Sequence, residues 1–116
     1  MSESREASAA QRIIGDFAPK LVELSDDVLF GDIWKRKELS PRDRSLITVS
    51  SLITGGNTEQ LPFHWKKAIE NGILQDELIE VITHLAFYVG WPKAMSAIMV
   101  AKELFSKENK KDGSWE

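Results

Sequence analysis

Apolar residues along this chain recur at intervals of three and four and never alternate with polar ones over the length of a strand, so every ordered segment is predicted to be helical. Gln11 to Phe17 forms a short helical stretch, and Pro19 opens a second in which Leu21, Val22, Leu24, Val28 and Leu29 keep helical spacing. Ser40-Pro41-Arg42-Asp43 is a helix start, with a Ser cap, Pro at the first helical position and an acid that favours the positive helix end. The helix it opens, Arg44 to Thr54, carries Leu46, Ile47, Val49, Leu52 and Ile53 with only small polar residues between them, which predicts a central, closely packed element stopped by Gly55-Gly56. Asn57 or Thr58 is expected to cap the next helix, whose buried stripe is Leu61, Trp65, Ala68 and Ile69 and whose stop is Asn71-Gly72. Another helix runs from about Gln75 through Leu78, Val81, Ile82, Leu85 and Val89 to Gly90. Pro92 starts the last, with Met95, Ile98, Ala101, Leu104 and Phe105.

Residues 1–10 and 106–116 lack apolar periodicity and are expected to be flexible tails flanking one helical domain over 11–105. Trp115 reads as an exposed terminal aromatic, with docking on a neighbour as the alternative. A domain of this size buries roughly 65% of its unfolded surface, a modest core in which a deep ligand pocket is a strain, so a pocket is expected between subunits. The run Ala94-Met95-Ser96-Ala97-Ile98-Met99-Val100-Ala101 is apolar over more than one face, which predicts burial against a second copy.

Composition narrows the chemistry. A formal net charge of -3 supplies no footprint for a nucleic-acid backbone, so no nucleic-acid partner is expected. The first ten residues have no apolar signal region and no apolar run approaches membrane-spanning length, so a cytoplasmic protein without membrane partners is expected. The absence of cysteine excludes a disulfide framework, an iron–sulfur site and a thiol nucleophile.

The remaining acid–base candidates are few. His64 lies three residues after Leu61 and four before Ala68, at the border of the apolar face, where a half-sheltered ring can titrate across neutral pH and shuttle a proton. The alternative is an ordinary boundary histidine hydrogen-bonded to a neighbour. His84 and Tyr88 are four apart and share a helix face, directed either into one pocket or into structural contacts. Arg44 is an unexpected charge at the start of a helix read as buried; it can hold a substrate carboxylate or pair with Asp43, Asp32 or Glu59. Trp34 is a candidate wall of a binding site, or a core or interface aromatic. Neither histidine has a partner at zinc-ligand spacing, so no metal site is expected.

Four spaced segments, Phe30-Gly31-Asp32-Ile33-Trp34, Leu39 to Val49, His64-Trp65-Lys66-Lys67-Ala68 with Asn71-Gly72, and His84-Leu85-Ala86-Phe87-Tyr88-Val89-Gly90-Trp91-Pro92, together resemble the carboxymuconolactone decarboxylase family over about residues 28–105. The resemblance implies the six-helix alkylhydroperoxidase D-like fold, assembled as a trimer or hexamer with sites near subunit contacts. One branch of the family removes CO2 from a carboxylated lactone without a cofactor. Another, the alkylhydroperoxidase D-like branch, uses a C-x-x-C-x-x-x-H motif. Counting back from His64, the two cysteine positions fall on Gln60 and Asn57, and neither amide can form a thiolate, so thiol peroxidase chemistry is disfavoured.

The decarboxylase reading needs no thiol. The bond to the departing carboxylate leaves its electrons delocalised toward the lactone carbonyl, so the site must hold carboxylates, stabilise a dienolate and protonate carbon. The expected assignment, for a small carboxylated lactone or related molecule, gives Arg44 the carboxylate contact and His64 the proton delivery. Tyr88 or His84 would add a hydrogen bond, and Glu59 would orient His64 from a bent helix start or from another subunit. Arg36-Lys37-Glu38-Leu39 and Trp91-Pro92-Lys93-Ala94-Met95-Ser96 depart from the decarboxylase pattern, so a pocket lined by the second of these would take a different substrate. The rival reading is a non-enzymatic oligomeric binding or accessory module in which the same residues only pack subunits.

Overall fold

The computed structural model describes residues 8–112, with side chains as far as Lys107. The expectations for residues 1–7 and for Trp115 lie outside the described residues. The described residues form six α-helices and no strand: α1 (Ala9–Ile14), α2 (Pro19–Glu23), α3 (Pro41–Gly55), α4 (Leu61–Glu70), α5 (Gln75–Val89) and α6 (Trp91–Asp112). The chain divides between Ser40 and Pro41 into two compact units.

In the first unit, α1 starts at Ala9 because Ser8, in extended conformation, accepts the Gln11 N–H on its hydroxyl at 3.0 Å. The same hydroxyl donates to Asp26 Oδ2 at 3.0 Å, tying the start of α1 to the segment after α2. The predicted second helix changes pitch. Beyond Glu23 the chain continues as a π-helix over Leu24–Leu29, and Phe30 N–H bonds back to Ser25 C=O at 2.9 Å, five residues earlier. Gly31 then passes so close to Asp26 and Asp27 that an added Cβ would stand 2.7 Å from both carbonyl oxygens. A short 3₁₀ turn, Ile33–Lys35, follows, and Trp34 stacks on Phe30 with ring centroids 5.9 Å apart.

The second unit is a bundle of α3 to α6. Helix α3 begins at Pro41 as expected and packs on α4, α5 and α6. It is central, but its buried stripe is narrow: Ser45, Val49 and Ile53 are sealed, whereas Ile47 is 55% exposed. Two contacts set the directions of the helices. Asn71, which follows the last turn of α4, donates to Ser45 Oγ at 2.9 Å, so α4 runs antiparallel to α3. Arg42 in the first turn of α3 bonds Glu77 in the first turn of α5 at 2.7 Å, so those two helices start at the same end.

The start of α4 corrects the expected cap. Asn57 bonds Leu52 C=O through its backbone N–H and Thr58 bonds Gly56, so both belong to the connecting turn, and α4 starts at Leu61 with Gln60 as its uncapped first flank. Its buried stripe is Leu61, Trp65 and Ala68; Ile69 is exposed, and Ile73 in the following turn fills the core instead. Helix α5 buries Leu78, Ile82 and Ala86 and ends at Gly90, whose φ of 103° only glycine adopts without strain. Helix α6 starts at Trp91, one residue before the expected Pro92, and continues past Phe105 to Asp112 through the stretch read as a tail. Its core positions are Ala94, Ala97 and Ala101, while Met95 and Phe105 face outward. Small residues let α6 approach its neighbours closely, so the longer side chains on the same helix are displaced to the outside. No helix of the described residues is long and apolar enough to cross a membrane.

Candidate functional site

His64 closes the first turn of α4, one position before the buried Trp65, and is half-buried as its border placement predicts. Phe63 meets its ring edge-on at 5.0 Å, and Nδ1 is sealed from solvent. Burial, and after it the charge of Lys67 one turn along, holds the imidazole below the ordinary value of 6.5, so at neutral pH the ring is uncharged. Lys67 was absent from the sequence-based candidates, although its spacing of three residues from His64 places the two on neighbouring helix positions.

Arg44 lies in the first turn of α3, half-buried with Nε sealed from solvent, and its carbonyl accepts from Thr48 Oγ1 at 2.7 Å. The bond between Ser45 and Asn71 fixes its level on the hairpin. His64 precedes Asn71 by seven residues, which places it about 10 Å along the helix axis from the level of Arg44. Of Lys67 and Arg44, Lys67 is therefore the nearer in level to His64, three residues along the same helix.

Glu59 is exposed in the turn between α3 and α4 and makes no hydrogen bond or ion pair among the described residues, so it does not orient His64 within this chain. His84 and Tyr88 do meet: their rings lie 5.0 Å apart at 32° on α5. Both face outward, Tyr88 with 75% of its surface exposed, and α4 and α5 each pack on α3 and α6 rather than on each other. Trp34, half-buried against Phe30, belongs to the first unit. Trp65 was read only as core; its indole N–H is buried without a hydrogen-bond partner among the described residues. Among those residues no cluster of three or more His, Asp or Glu could hold a metal ion.

The hairpin of α3 and α4, backed by α5 and α6, defines an all-helical protein whose one half-buried histidine is held neutral at the edge of the core. Residues 19–103 match the model of the carboxymuconolactone decarboxylase family. The chain is 32% identical over 92 residues to the 4-carboxymuconolactone decarboxylase of Acinetobacter baylyi, covering 79% of this chain and 69% of that protein. It is also 32% identical over 81 residues to the nitrosuccinic acid decarboxylase of Metarhizium robertsii, 70% of this chain and 57% of that protein's length. This protein belongs to the carboxymuconolactone decarboxylase family.

Proposed function

We propose that this protein is a cofactor-free decarboxylase of a small anionic acid, with His64 as the proton carrier. The observation that carries the reading is the half-buried imidazole held neutral beside Lys67. The names of both relatives support it, since each describes loss of CO2 from a small acid that also bears an electron-withdrawing group, a lactone in one and a nitro group in the other. Such a group accepts the electron pair of the breaking C–C bond without a bound cofactor.

The steps follow from the charges. Lys67 and Arg44 draw the anionic acid to the hairpin, and its negative charge offsets the field of Lys67 at the ring. His64 then gains a proton on substrate binding. The bond from carbon to carboxylate breaks, CO2 leaves, the electron pair moves onto the oxygen of the electron-withdrawing group, and the imidazolium returns one proton to carbon. The exposed Phe87, Tyr88, Trp91 and Met99 support assembly into a homo-oligomer, in which a neighbouring copy would cover the face that carries His84 and Tyr88.

The test is CO2 release from 4-carboxymuconolactone and from nitrosuccinate by the purified protein in the presence of a chelator. Turnover of either acid by the wild type, lost in a folded His64→Ala variant, is the expected result. Full turnover by His64→Ala would remove the histidine from the mechanism, and no release from either acid would turn the reading toward an accessory module.

A further inference from the structure

We propose that the cleft between the start of α5 and the second half of α6 is a binding site for a large apolar α-amino acid in its zwitterionic form. The cleft has a volume of about 450 Å³, within the range of small-molecule sites. Ile79 of α5 forms one wall, and Ile98, Ala101 and Phe105 of α6 form the other. The spacing of those three α6 residues puts them on one helix face. Phe105 keeps 47% of its surface exposed there, leaving apolar ring surface open to the cleft.

Two opposite charges line the same cleft. Asp76 comes from the first turn of α5 and Lys102 from α6, and among the described residues neither has a hydrogen bond or an ion pair, with each other or with any third group. This arrangement discriminates by charge. A simple carboxylate attracted by Lys102 meets the repulsion of Asp76, and a simple amine attracted by Asp76 meets that of Lys102. An α-amino acid places an ammonium and a carboxylate on one carbon, so both side chains gain a partner while the apolar chain lies on Ile79, Ile98 and Phe105. Leucine and phenylalanine have the required bulk, and phenylalanine adds a ring contact with Phe105.

The cleft is separate from the His64 hairpin site. It opens where α5 begins, the end at which Arg42 and Glu77 join α3 to α5, whereas His64 lies in the first turn of α4 toward the opposite end. An amino acid bound there acts as an effector or a cargo and does not touch the proposed proton carrier. The inference stands independently of the decarboxylase reading.

Isothermal titration of the full-length protein with L-phenylalanine tests it, with 3-phenylpropionate and phenethylamine as the analogues lacking one charge each. Saturable binding with one molecule per chain is expected, with each analogue weaker by about tenfold or more, as expected when one charge pair is lost. Lys102→Met and Asp76→Asn should each weaken phenylalanine by a similar factor while leaving the unfolding temperature unchanged. His64→Ala should bind as the wild type does. No saturable binding up to the solubility limit, or equal affinity for all three ligands, overturns the proposal. So does a sedimentation result in which Phe105→Glu dissociates an oligomer, since the cleft would then be an interface between copies.

Discussion

Asn71 Nδ2 donates to Ser45 Oγ at 2.9 Å, so the residue that closes α4 supplies the donor for a hydroxyl with 0% exposure at the start of α3. The same amide nitrogen lies 3.4 Å from Pro41 C=O, at the first residue of α3. One side chain thus sets the register of the hairpin on which His64 and Arg44 are carried.

Replacing Asn71 with alanine should cost about 1–3 kcal/mol, the usual penalty for leaving a buried polar group without its partner. Ser45→Ala in the same background should recover part of that loss, because the orphaned hydroxyl is gone. Urea denaturation of both single variants and the double variant measures the coupling. Strictly additive losses would mean that the two side chains do not act as a pair.

The lowered proton affinity of His64 makes stability depend on pH with a defined sign. In the unfolded chain the ring titrates near 6.5, and in the fold burial and Lys67 hold it lower, so the unfolded state binds the proton first. The stability associated with the neutral ring is fully present above 6.5 and declines as the pH falls from there through the lowered folded value. Denaturant midpoints between about pH 7.5 and about pH 5 should show this decline, and His64→Gln should flatten it. An unchanged slope in that variant would assign the dependence to other groups.

Lys67→Met removes the second of the two causes and leaves the first, burial, in place. Proton NMR of the His64 ring should therefore show its titration moving upward in the variant while staying below 6.5. A downward movement would contradict the repulsion assigned to Lys67.

Glu77 accepts from Leu74 N–H at 2.9 Å and pairs with Arg42 at 2.7 Å. The backbone bond is the largest cause of its lowered carboxyl affinity for protons, ahead of the arginine. Glu77→Ala should therefore lower the unfolding temperature more than Arg42→Ala does. The contribution of the carboxylate is present above the ordinary glutamate range and is lost as the pH falls through its lowered folded value. Thermal melts of the two variants at neutral pH, with the wild type followed into acid, measure both effects.

Ala97, 1% exposed on α6, has no room for a longer side chain. Ala97→Leu should destabilise by about 1–3 kcal/mol through overpacking. Met99→Leu, at a position 64% exposed, should change stability by less than about 0.5 kcal/mol in the isolated chain. Chemical denaturation at low protein concentration compares the two.

Starts and stops of helices were legible wherever one residue's backbone chemistry decides them. Pro41 begins α3 and Gly90 ends α5, since proline's fixed φ and glycine's access to positive φ act locally. The pitch change at Leu24–Leu29 was not legible, because an apolar spacing does not distinguish a bond to the fourth residue back from one to the fifth. Nor could the sequence tell that Asn57 and Thr58 would be used in the turn before α4 instead of in a cap. Ile69 belongs to the stripe predicted as buried on α4 but faces outward, with Ile73 of the following turn in the core instead, and the packing of α6 through its alanines is likewise a tertiary feature that propensity and spacing do not reveal.

In the candidate site, spacing alone located His64 at the border of the core and brought His84 beside Tyr88. Spacing did not show that the latter pair faces outward. Lys67 escaped notice because a lysine on a polar helix face is ordinary, and its effect arises only once the neighbouring ring loses its water.

The wide turn at Leu24–Leu29 holds one residue more than a regular helix would use to cover the same bonds. Deleting a single residue there would restore ordinary pitch and rotate all that precedes it by about 100° around the helix axis. Ser8 would then be carried away from Asp26, which its hydroxyl now reaches at 3.0 Å, and Val22 would leave its buried azimuth. The length of that segment therefore acts as a phase setting: a change of one residue re-aims α1 and α2 against the segment that follows them.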